Sequence, residues 1–372
     1  MIFLIVNPIW QTIIFSLLLM VPIVWWRQTR TDKNILPITV SFELKGLAIL
    51  LVVFSHIGYF LDQGKQFLWP LSNLAGVGVD IFLLLSGYGL AMSALTNKRK
   101  ILEFYRRHFL KLFVPLWLVL ILWFSAAFFS GWGSYDWHYI LLSLLGWFPG
   151  ADIYQDVNSP LWYFSLIAGY YVLFPVFFKT RWPWLSALAI YSVAYLIFNY
   201  IKPQIGWTAR LYELHLLAFP IGVGLASVLN SPKLLKVLEA CRRPKYYYLI
   251  LNSLFLIISY RFLYAINIKS LFWLSVDSLL STFLFTALFV IKKQEWKTLS
   301  LFGLLSYEIY LLHWPWLYHY GGLLSLMPAW LAGLIYLGLF LIAGWLLSYL
   351  VKKINSVTLH AANKADKNLA VK

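Results

Sequence analysis

The chain has 372 residues, of which 61% are hydrophobic and only 12% are charged, and its mean hydropathy is +0.75. A soluble globular domain carries ~25% charged residues, so this composition excludes that class and predicts a polytopic membrane protein. The formal net charge of +16 indicates contact with anionic lipid and with an anionic small molecule, and not a nucleic-acid partner.

Eleven apolar segments approach the ~20 residues that a helix needs to cross the hydrocarbon of a bilayer. In chain order they are 4–26, 44–61, 74–95, 109–131, 160–178, 184–201, 211–229, 246–266, 271–291, 299–320 and 329–351. A twelfth apolar run, 138–148, is shorter and is followed by the polar stretch PGADIYQDVNSP. We predict an all-α membrane protein with about 11 transmembrane helices and a re-entrant or interfacial element near 138–148.

The basic residues indicate the topology. Most of the 30 lysines and arginines fall in alternate connections, with dense groups at 98–111, 233–245 and 352–372. The positive-inside rule assigns those connections to the cytoplasm. The N-terminus is then outside and the C-terminus inside, and the alternation holds only if 138–148 does not cross. We therefore expect a multi-pass protein of the cell (cytoplasmic) membrane, embedded in the lipid bilayer.

The second predicted helix contains FELKGLAILLVVFSH, in which Lys45 and His56 are eleven residues apart. This spacing puts the two residues within ~20° of one helix face and ~16.5 Å apart along the axis. Lys45 is then expected at the cytoplasmic mouth and His56 past the middle of the bilayer, where burial favours the neutral imidazole that a general base requires. The alternative, a packing histidine hydrogen-bonded to a neighbouring helix, stays open.

The third predicted helix contains GVGVDIFLLLSGYGL, with Asp80 at the depth expected for His56 on the antiparallel second helix. We expect Asp80 to hold one ring nitrogen of His56 and to raise the basicity of the other. The alternatives are that Asp80 pairs with another group or faces the outer water layer.

The next apolar helix is entered through EFYRRHFLKLFVPLW. Arg107 and Lys111 are four residues apart and share a helix face, with Arg106 adjacent. These cations are either a phosphate clamp or ordinary positive-inside anchors.

Aromatic and histidine side chains near the outer loop and in a late helix have two interpretations each. Trp162 and Tyr163 border the outer loop, where a sugar could stack on them, and both residue types also serve as belt and packing residues. His313 follows Tyr310 by three residues and faces the same side, and its functional role is open. His215 has no partner that the sequence indicates.

Five of these stretches resemble, in order, the motifs of the membrane acyltransferase type 3 family in its stand-alone form, without a soluble outer domain. They are KGLAILLVVFSH, GVDIFLLLSGYGLA, RRHFLKLFVPLW, SPLWYFSLIAGYYVLFP and LSYEIYLLHWP. The resemblance implies a ten-helix acyltransferase core in 44–351. Residues 1–43 then form an extra N-terminal transmembrane helix with a basic cytoplasmic linker, and 352–372 form a basic cytoplasmic tail.

The resemblance also implies an activity, O-acyl transfer from cytoplasmic acyl-CoA, usually acetyl-CoA, to a hydroxyl of a cell-envelope glycan or a similar acceptor. His56 is implied to be the base or acyl relay, Lys45 to assist it, and Arg106, Arg107 and Lys111 to lie near the phosphates of coenzyme A. The remaining candidates are Asp80 as catalytic partner and, for substrate binding, Trp162, Tyr163, Tyr310 and His313. No metal is expected.

Two departures limit what the resemblance carries over. Ile167 and Ala168 stand where many members have a glutamate pair, and Phe42 stands where many have aspartate, with Glu43 nearby on a different face.

Two other function classes compete with the enzyme. A structural or scaffolding protein would leave the spacing of Lys45 and His56 accidental. A multi-pass transporter would use the buried polar residues as a solute or proton path. A transporter is expected to show an internal repeat of about five spans, and the two halves show no convincing self-similarity.

Overall fold

The structure is a computed structural model that describes residues 5–32, 34–61, 66–97, 100–131, 135–149, 159–229, 231–264, 270–320, 322 and 326–370. Within these ranges, the backbone alone is described for 59–61, 244–245, 259–264, 319–320 and 357–370.

The described chain is built almost entirely of helices, which confirms the predicted all-α class. They are α1 (Pro8–Trp25), α2 (Ile38–Leu61), α3 (Ala75–Thr96), α4 (Ile101–Ser130), α5 (Trp137–Leu144), α6 (Trp162–Phe177), α7 (Pro183–Ile205), α8 (Ala209–His215), α9 (Ala218–Val228), α10 (Pro232–Cys241), α11 (Pro244–Tyr264), α12 (Leu271–Ile291), α13 (Lys297–Leu304), α14 (Ser306–Tyr320) and α15 (Ala329–Ala370). Two three-residue strands, β1 (Arg27–Thr29) and β2 (Gln294–Trp296), pair antiparallel.

Eight segments of the described chain are long and apolar enough to cross a membrane, so the protein is polytopic. They are Pro8–Trp25, Ile38–Gly58, Ala75–Thr96, Ile101–Ser130, Ser159–Phe177, Pro183–Val228, Leu271–Ile291 and Ala329–Ser356. Pro183–Val228 contains two of the predicted spans, 184–201 and most of 211–229, and the second of these is divided between α8 and α9. Of the two remaining predicted spans, 246–266 corresponds to α11 as far as Tyr264, and 299–320 is divided between α13 and α14.

The short apolar run after α4 forms α5, a helix of 8 residues. Its length is ~12 Å, less than half of the ~30 Å hydrocarbon thickness, in agreement with the prediction that this run does not cross. The Asp136 side chain caps its first turn by accepting the His138 N–H. The chain then turns back, and the N–H of Phe148 donates to the Ser165 hydroxyl on α6 at 2.9 Å.

Close helix packing positions α2 at the centre of the protein. A Cβ atom on Gly46 of α2 would overlap the carbonyl oxygen of Leu299 on α13, and one on Gly303 would overlap that of Phe42. Small residues allow such close backbone approach between membrane helices. The contact places the start of α14 beside the face of α2 that carries Lys45.

The N-terminal helix α1 packs on this core along a narrow stripe. Phe15 is fully buried and its ring meets the rings of Phe54 and Phe67, with centroids 5.4 and 6.4 Å away. Most other side chains of α1 are exposed, as expected of a peripheral helix that faces lipid.

A buried ion cluster ties the connection after α1 to the start of α2. The Glu43 carboxylate contacts Arg30 and Lys292 and accepts the N–H of Trp296 at 2.6 Å. Burial lowers the pKa of Lys292 to about 8, and the neighbouring Glu43 opposes this change. Glu43, which the sequence left without a partner, is therefore a structural anchor.

Candidate active site

Two adjoining cavities are both lined by residues of α2, α3, α6 and α14. The lysine chamber, of about 370 Å³, is named for Lys45, Lys111 and Lys352 in its wall. The histidine chamber, of about 490 Å³, is named for His56 and His215. Three aromatic side chains line both cavities, Phe82, Tyr163 and Tyr310. The two chambers therefore adjoin, and these rings form part of the wall of each.

The lysine chamber combines cations from three helices. Lys45 comes from α2, Lys111 from α4 and Lys352 from α15, and Glu308 of α14 adds one carboxylate. Lys45 and Lys111 were both predicted at an entrance for an anionic molecule. Lys352 was assigned to a tail after the last span, and it reaches the chamber because α15 continues as one helix to Ala370.

The predicted phosphate clamp is only partly assembled. Among the described residues that line the lysine chamber, Lys111 is present, whereas Arg106 and Arg107 are not. Arg107 lies one turn nearer the start of α4 and pairs with Glu103 at 2.8 Å on the exposed surface. Arg106 is five residues from Lys111 and so points ~140° away from it around the helix. Only Lys111 of the three cations therefore lines the chamber, and a clamp formed by all three stays a prediction.

The ring of His56 is held by a second histidine. Its Nδ1 lies 2.7 Å from Nε2 of His313 on α14, and the two ring planes are 7° from parallel. Nδ1 of His313 faces the carbonyl oxygens of Ile309 and Tyr310, at 3.1 and 2.8 Å. Carbonyls only accept, so this nitrogen carries a proton and Nε2 of neutral His313 is an acceptor.

The protonation of His56 follows from this chain of hydrogen bonds. Its Nδ1 must donate to His313, so the lone pair of neutral His56 resides on Nε2. An imidazole in this tautomer can act as a base or as a nucleophile through Nε2. His313, a predicted substrate-binding residue, is fully buried and is not among the described residues that line the chamber. It contacts the ring of His56 instead.

Asp80 does not hold His56, and this predicted pair is wrong. One carboxylate oxygen of Asp80 lies 2.7 Å from Nδ1 of His215 on α8, and the other accepts the hydroxyl of Ser278 on α12. Equal depth in the bilayer is not sufficient for contact, because Asp80 lies on the face of α3 that packs against α8 and α12.

His215 is a functional candidate that the sequence did not reveal. It lines the histidine chamber, and the Trp162 ring lies over it with centroids 5.7 Å apart and planes 22° from parallel. Its carboxylate partner lies 135 residues away in sequence, so no spacing rule could have found the pair.

Three predicted substrate-binding residues do line the histidine chamber, namely Trp162, Tyr163 and Tyr310. Tyr310 is fixed because its hydroxyl donates to the carbonyl of Pro160 at 2.7 Å, and its ring meets Tyr163 edge-on at 5.4 Å. Ile167, at one of the positions without the family glutamates, lines the lysine chamber with an apolar side chain.

The fold and site define a multi-pass membrane protein with two histidines in the wall of one of two adjoining cavities. Comparisons with known proteins give its family. The family model described as an acyltransferase domain matches residues 43–349. The chain is also 33% identical over 149 residues to the acyltransferase MdmB of Streptomyces mycarofaciens, a match that covers 37% of this chain and 38% of that protein. No solved structure matches.

The chain therefore belongs to the acyltransferase type 3 family, which confirms the resemblance found in its motifs.

Proposed function

We propose that the protein is an O-acyltransferase that moves an acyl group, in the simplest case acetyl, from acyl-CoA to a hydroxyl of a cell-envelope glycan or a similar acceptor. The observation that carries this proposal is the meeting of the two chambers at Phe82, Tyr163 and Tyr310. A donor and an acceptor that enter from opposite ends would meet beside His56.

The lysine chamber suits the donor. Coenzyme A has an anionic phosphate head and a long, thin thioester arm, and lysine ammonium groups bind phosphate through charge-assisted hydrogen bonds. Lys45 and His56 are separated by ~16.5 Å along α2, so an arm that extends past the shared rings brings the thioester towards His56. The positive-inside rule puts the lysine chamber on the cytoplasmic side, the N-terminus outside and the C-terminus inside.

His56 is the residue to which we assign the chemistry, either as general base or as acyl relay. As a base, Nε2 takes the proton of the acceptor hydroxyl while the hydroxyl oxygen attacks the acyl carbon. As a relay, Nε2 takes the acyl group first and passes it to the hydroxyl. Both roles use the lone pair on Nε2, and in both His313 keeps the ring in the required tautomer.

The test is transfer of radiolabelled acetyl from acetyl-CoA to the envelope fraction of membranes that contain wild-type protein or the His56→Ala variant. We expect a loss of ~10²-fold or more, because positioned acid–base groups contribute ~10²–10⁴ to rates. The exposed His138 on α5 offers a matched control, and His138→Ala should keep its activity. Retained transfer by His56→Ala at equal protein abundance would refute the assignment.

The same membranes test the acyl group and the acceptor. Competition of labelled acetyl-CoA with unlabelled longer acyl-CoA thioesters ranks the donors. Mass spectrometry of envelope polysaccharides, with and without the protein, identifies the acceptor by the loss of an acyl-sized increment.

A further inference from the structure

The histidine chamber contains a second imidazole, and its surroundings differ from those of His56. The side chains of His215 and Asp80 are 3% and 0% exposed, and Nδ1 of His215 lies 2.7 Å from Oδ1 of Asp80. Ser278 donates its hydroxyl to the second oxygen of Asp80. The three residues come from α8, α3 and α12, so three helices converge to hold one histidine.

These contacts fix where His215 carries its lone pair. A carboxylate accepts hydrogen bonds, so Nδ1 of His215 carries the proton that lies between the two residues. Nε2 of the neutral ring then bears the lone pair. This is the arrangement in which a carboxylate orients an imidazole and stabilises the imidazolium that forms when Nε2 takes a proton.

Charge distinguishes the two histidines. A proton on Nε2 of His215 gives an imidazolium in contact with the Asp80 carboxylate, whereas a proton on His56 gives an imidazolium in contact with the imidazole of His313. An isolated charge in a low-dielectric interior is costly, and an adjacent opposite charge offsets that cost. The chamber is therefore better able to hold a transferred proton on His215.

The edge of the His215 ring is close to the chamber wall formed by α3. A Cβ atom on Gly76 would lie 3.4 Å from Cε1 and 3.8 Å from Nε2 of His215. Gly76, His215 and Trp162 all line the chamber. The absence of a side chain on Gly76 leaves room beside Nε2, and the Trp162 ring provides an apolar surface for an acceptor.

We propose that His215 is a second catalytic residue, which takes the proton of the acceptor hydroxyl, and this inference rests on the proposed acyl transfer. Asp80 and Ser278 are its positioning residues. His56 then serves as the acyl relay. In the first step, Nε2 of His56 bonds to the acyl carbon, the C–S bond breaks, and sulfur leaves as thiolate with the electron pair.

In the second step, the acceptor oxygen bonds to the acyl carbon and its proton moves to Nε2 of His215. The bond between the acyl carbon and His56 breaks, and its electron pair returns to His56. His215 releases the proton to water and the thiolate takes one from water, so the products are an ester and a free thiol.

The test compares two acceptors in membranes supplied with radiolabelled acetyl-CoA. One is the native hydroxyl acceptor of the envelope fraction. The other is hydroxylamine, which is nucleophilic without a base and is detected as acetohydroxamate after subtraction of the reaction in membranes that lack the protein. The variants are His215→Gln, Asp80→Asn and Ser278→Ala, with His138→Gln as the exposed control.

We expect His215→Gln to lose ~10²-fold or more of its transfer to the native acceptor and to keep hydroxamate formation nearly unchanged. Asp80→Asn should show the same split to a smaller degree, and Ser278→Ala a smaller one again. His56→Ala should lose both products.

Each other outcome overturns a specific statement. Equal loss of both products in His215→Gln and Asp80→Asn, per amount of monodisperse protein, would show that the pair is structural. Unchanged transfer to the native acceptor would show that His215 is not the base. If wild-type protein forms neither product, the proposed acyl transfer itself fails, and this result is distinct from failure of the His215 assignment.

Discussion

The lysine and histidine chambers share three aromatic side chains but offer different chemistry to a ligand. The wall of the lysine chamber carries three ammonium groups and one carboxylate. The wall of the histidine chamber carries two imidazoles whose hydrogen-bond partners are buried. The first is suited to an anionic head and the second to a proton or an acyl group, so under the proposed function donor binding and chemistry take place in different chambers.

The helix α2 connects the two chambers because it contributes Lys45 to one and His56 to the other. Its close contact with α13 at Gly46 and Gly303 fixes the rotation of α2, and with it the direction of both side chains. A change on α2 or α14 should therefore affect either binding or chemistry according to which chamber it reaches.

The largest effect is expected from His313, which acts on the histidine chamber only through His56. In His313→Phe, the ring of His56 loses the acceptor for its Nδ1 proton, and transfer should fall by ~10²–10⁴-fold with little change in the KM for acetyl-CoA. His313→Gln should recover part of the activity, because its amide oxygen can accept the same hydrogen bond. The measurement is kcat and KM for acetyl transfer. A raised KM with unchanged kcat would place His313 in donor binding.

The shared rings should control passage between the chambers. Phe82→Ala removes one of the shared rings and opens the wall between the chambers, so a bound thioester is less well positioned and water can reach it. Acetyl transfer should fall by up to ~10²-fold, while release of free coenzyme A without acceptor should rise. The ratio of hydrolysis to transfer in the same membranes measures this. A lower transfer rate without extra hydrolysis would mean that the rings only support the fold.

A smaller effect, confined to binding, is expected at Lys111. One charge-assisted contact to phosphate contributes ~1.5–3 kcal/mol when it is buried. Lys111 is exposed, and solvent weakens such a contact. Lys111→Met should therefore raise the KM for acetyl-CoA about tenfold. The kcat should stay nearly unchanged. Arg107→Met is the matched control on the same helix, because Arg107 pairs with Glu103 outside the chamber, and its KM should match that of the wild type. Equal effects of both changes would restore the predicted clamp.

Sequence reasoning succeeded where geometry is set within one helix. The spacing of Lys45 and His56 depends only on helical pitch, and each residue reaches its chamber. The same pitch argument failed for Arg107, since sharing a face with Lys111 says nothing about which turn meets a cavity. The short α5 was predictable because its length is read directly from the chain.

Contacts between helices were not predictable from one sequence. The depth of Asp80 was inferred from the rise per residue, but the rotation of α3 directs its side chain to His215 and Ser278. The partner of His56 is on α14, 257 residues away. A single chain gives the position of each group along its helix, and only packing decides which groups meet.

The ion cluster at the start of α2 should affect stability and not chemistry. Because Lys292 has a folded-state pKa of about 8 against an ordinary value of 10.5, the unfolded chain binds the extra proton between these values. The free energy of unfolding should therefore rise as pH increases from about 8 to 10.5, by at most ~1.4 kcal/mol per pH unit. Below pH 8, Lys292 is protonated in both the folded and the unfolded chain, so it adds nothing to the pH dependence. Lys292→Met lacks this rise, so the advantage of wild type over the variant in thermal unfolding should grow between pH 8 and 10.

The neighbouring exposed Lys293 provides the control, and Lys293→Met should keep the wild-type slope. A flat difference between wild type and Lys292→Met would show that pairing with Glu43 keeps Lys292 charged despite its burial.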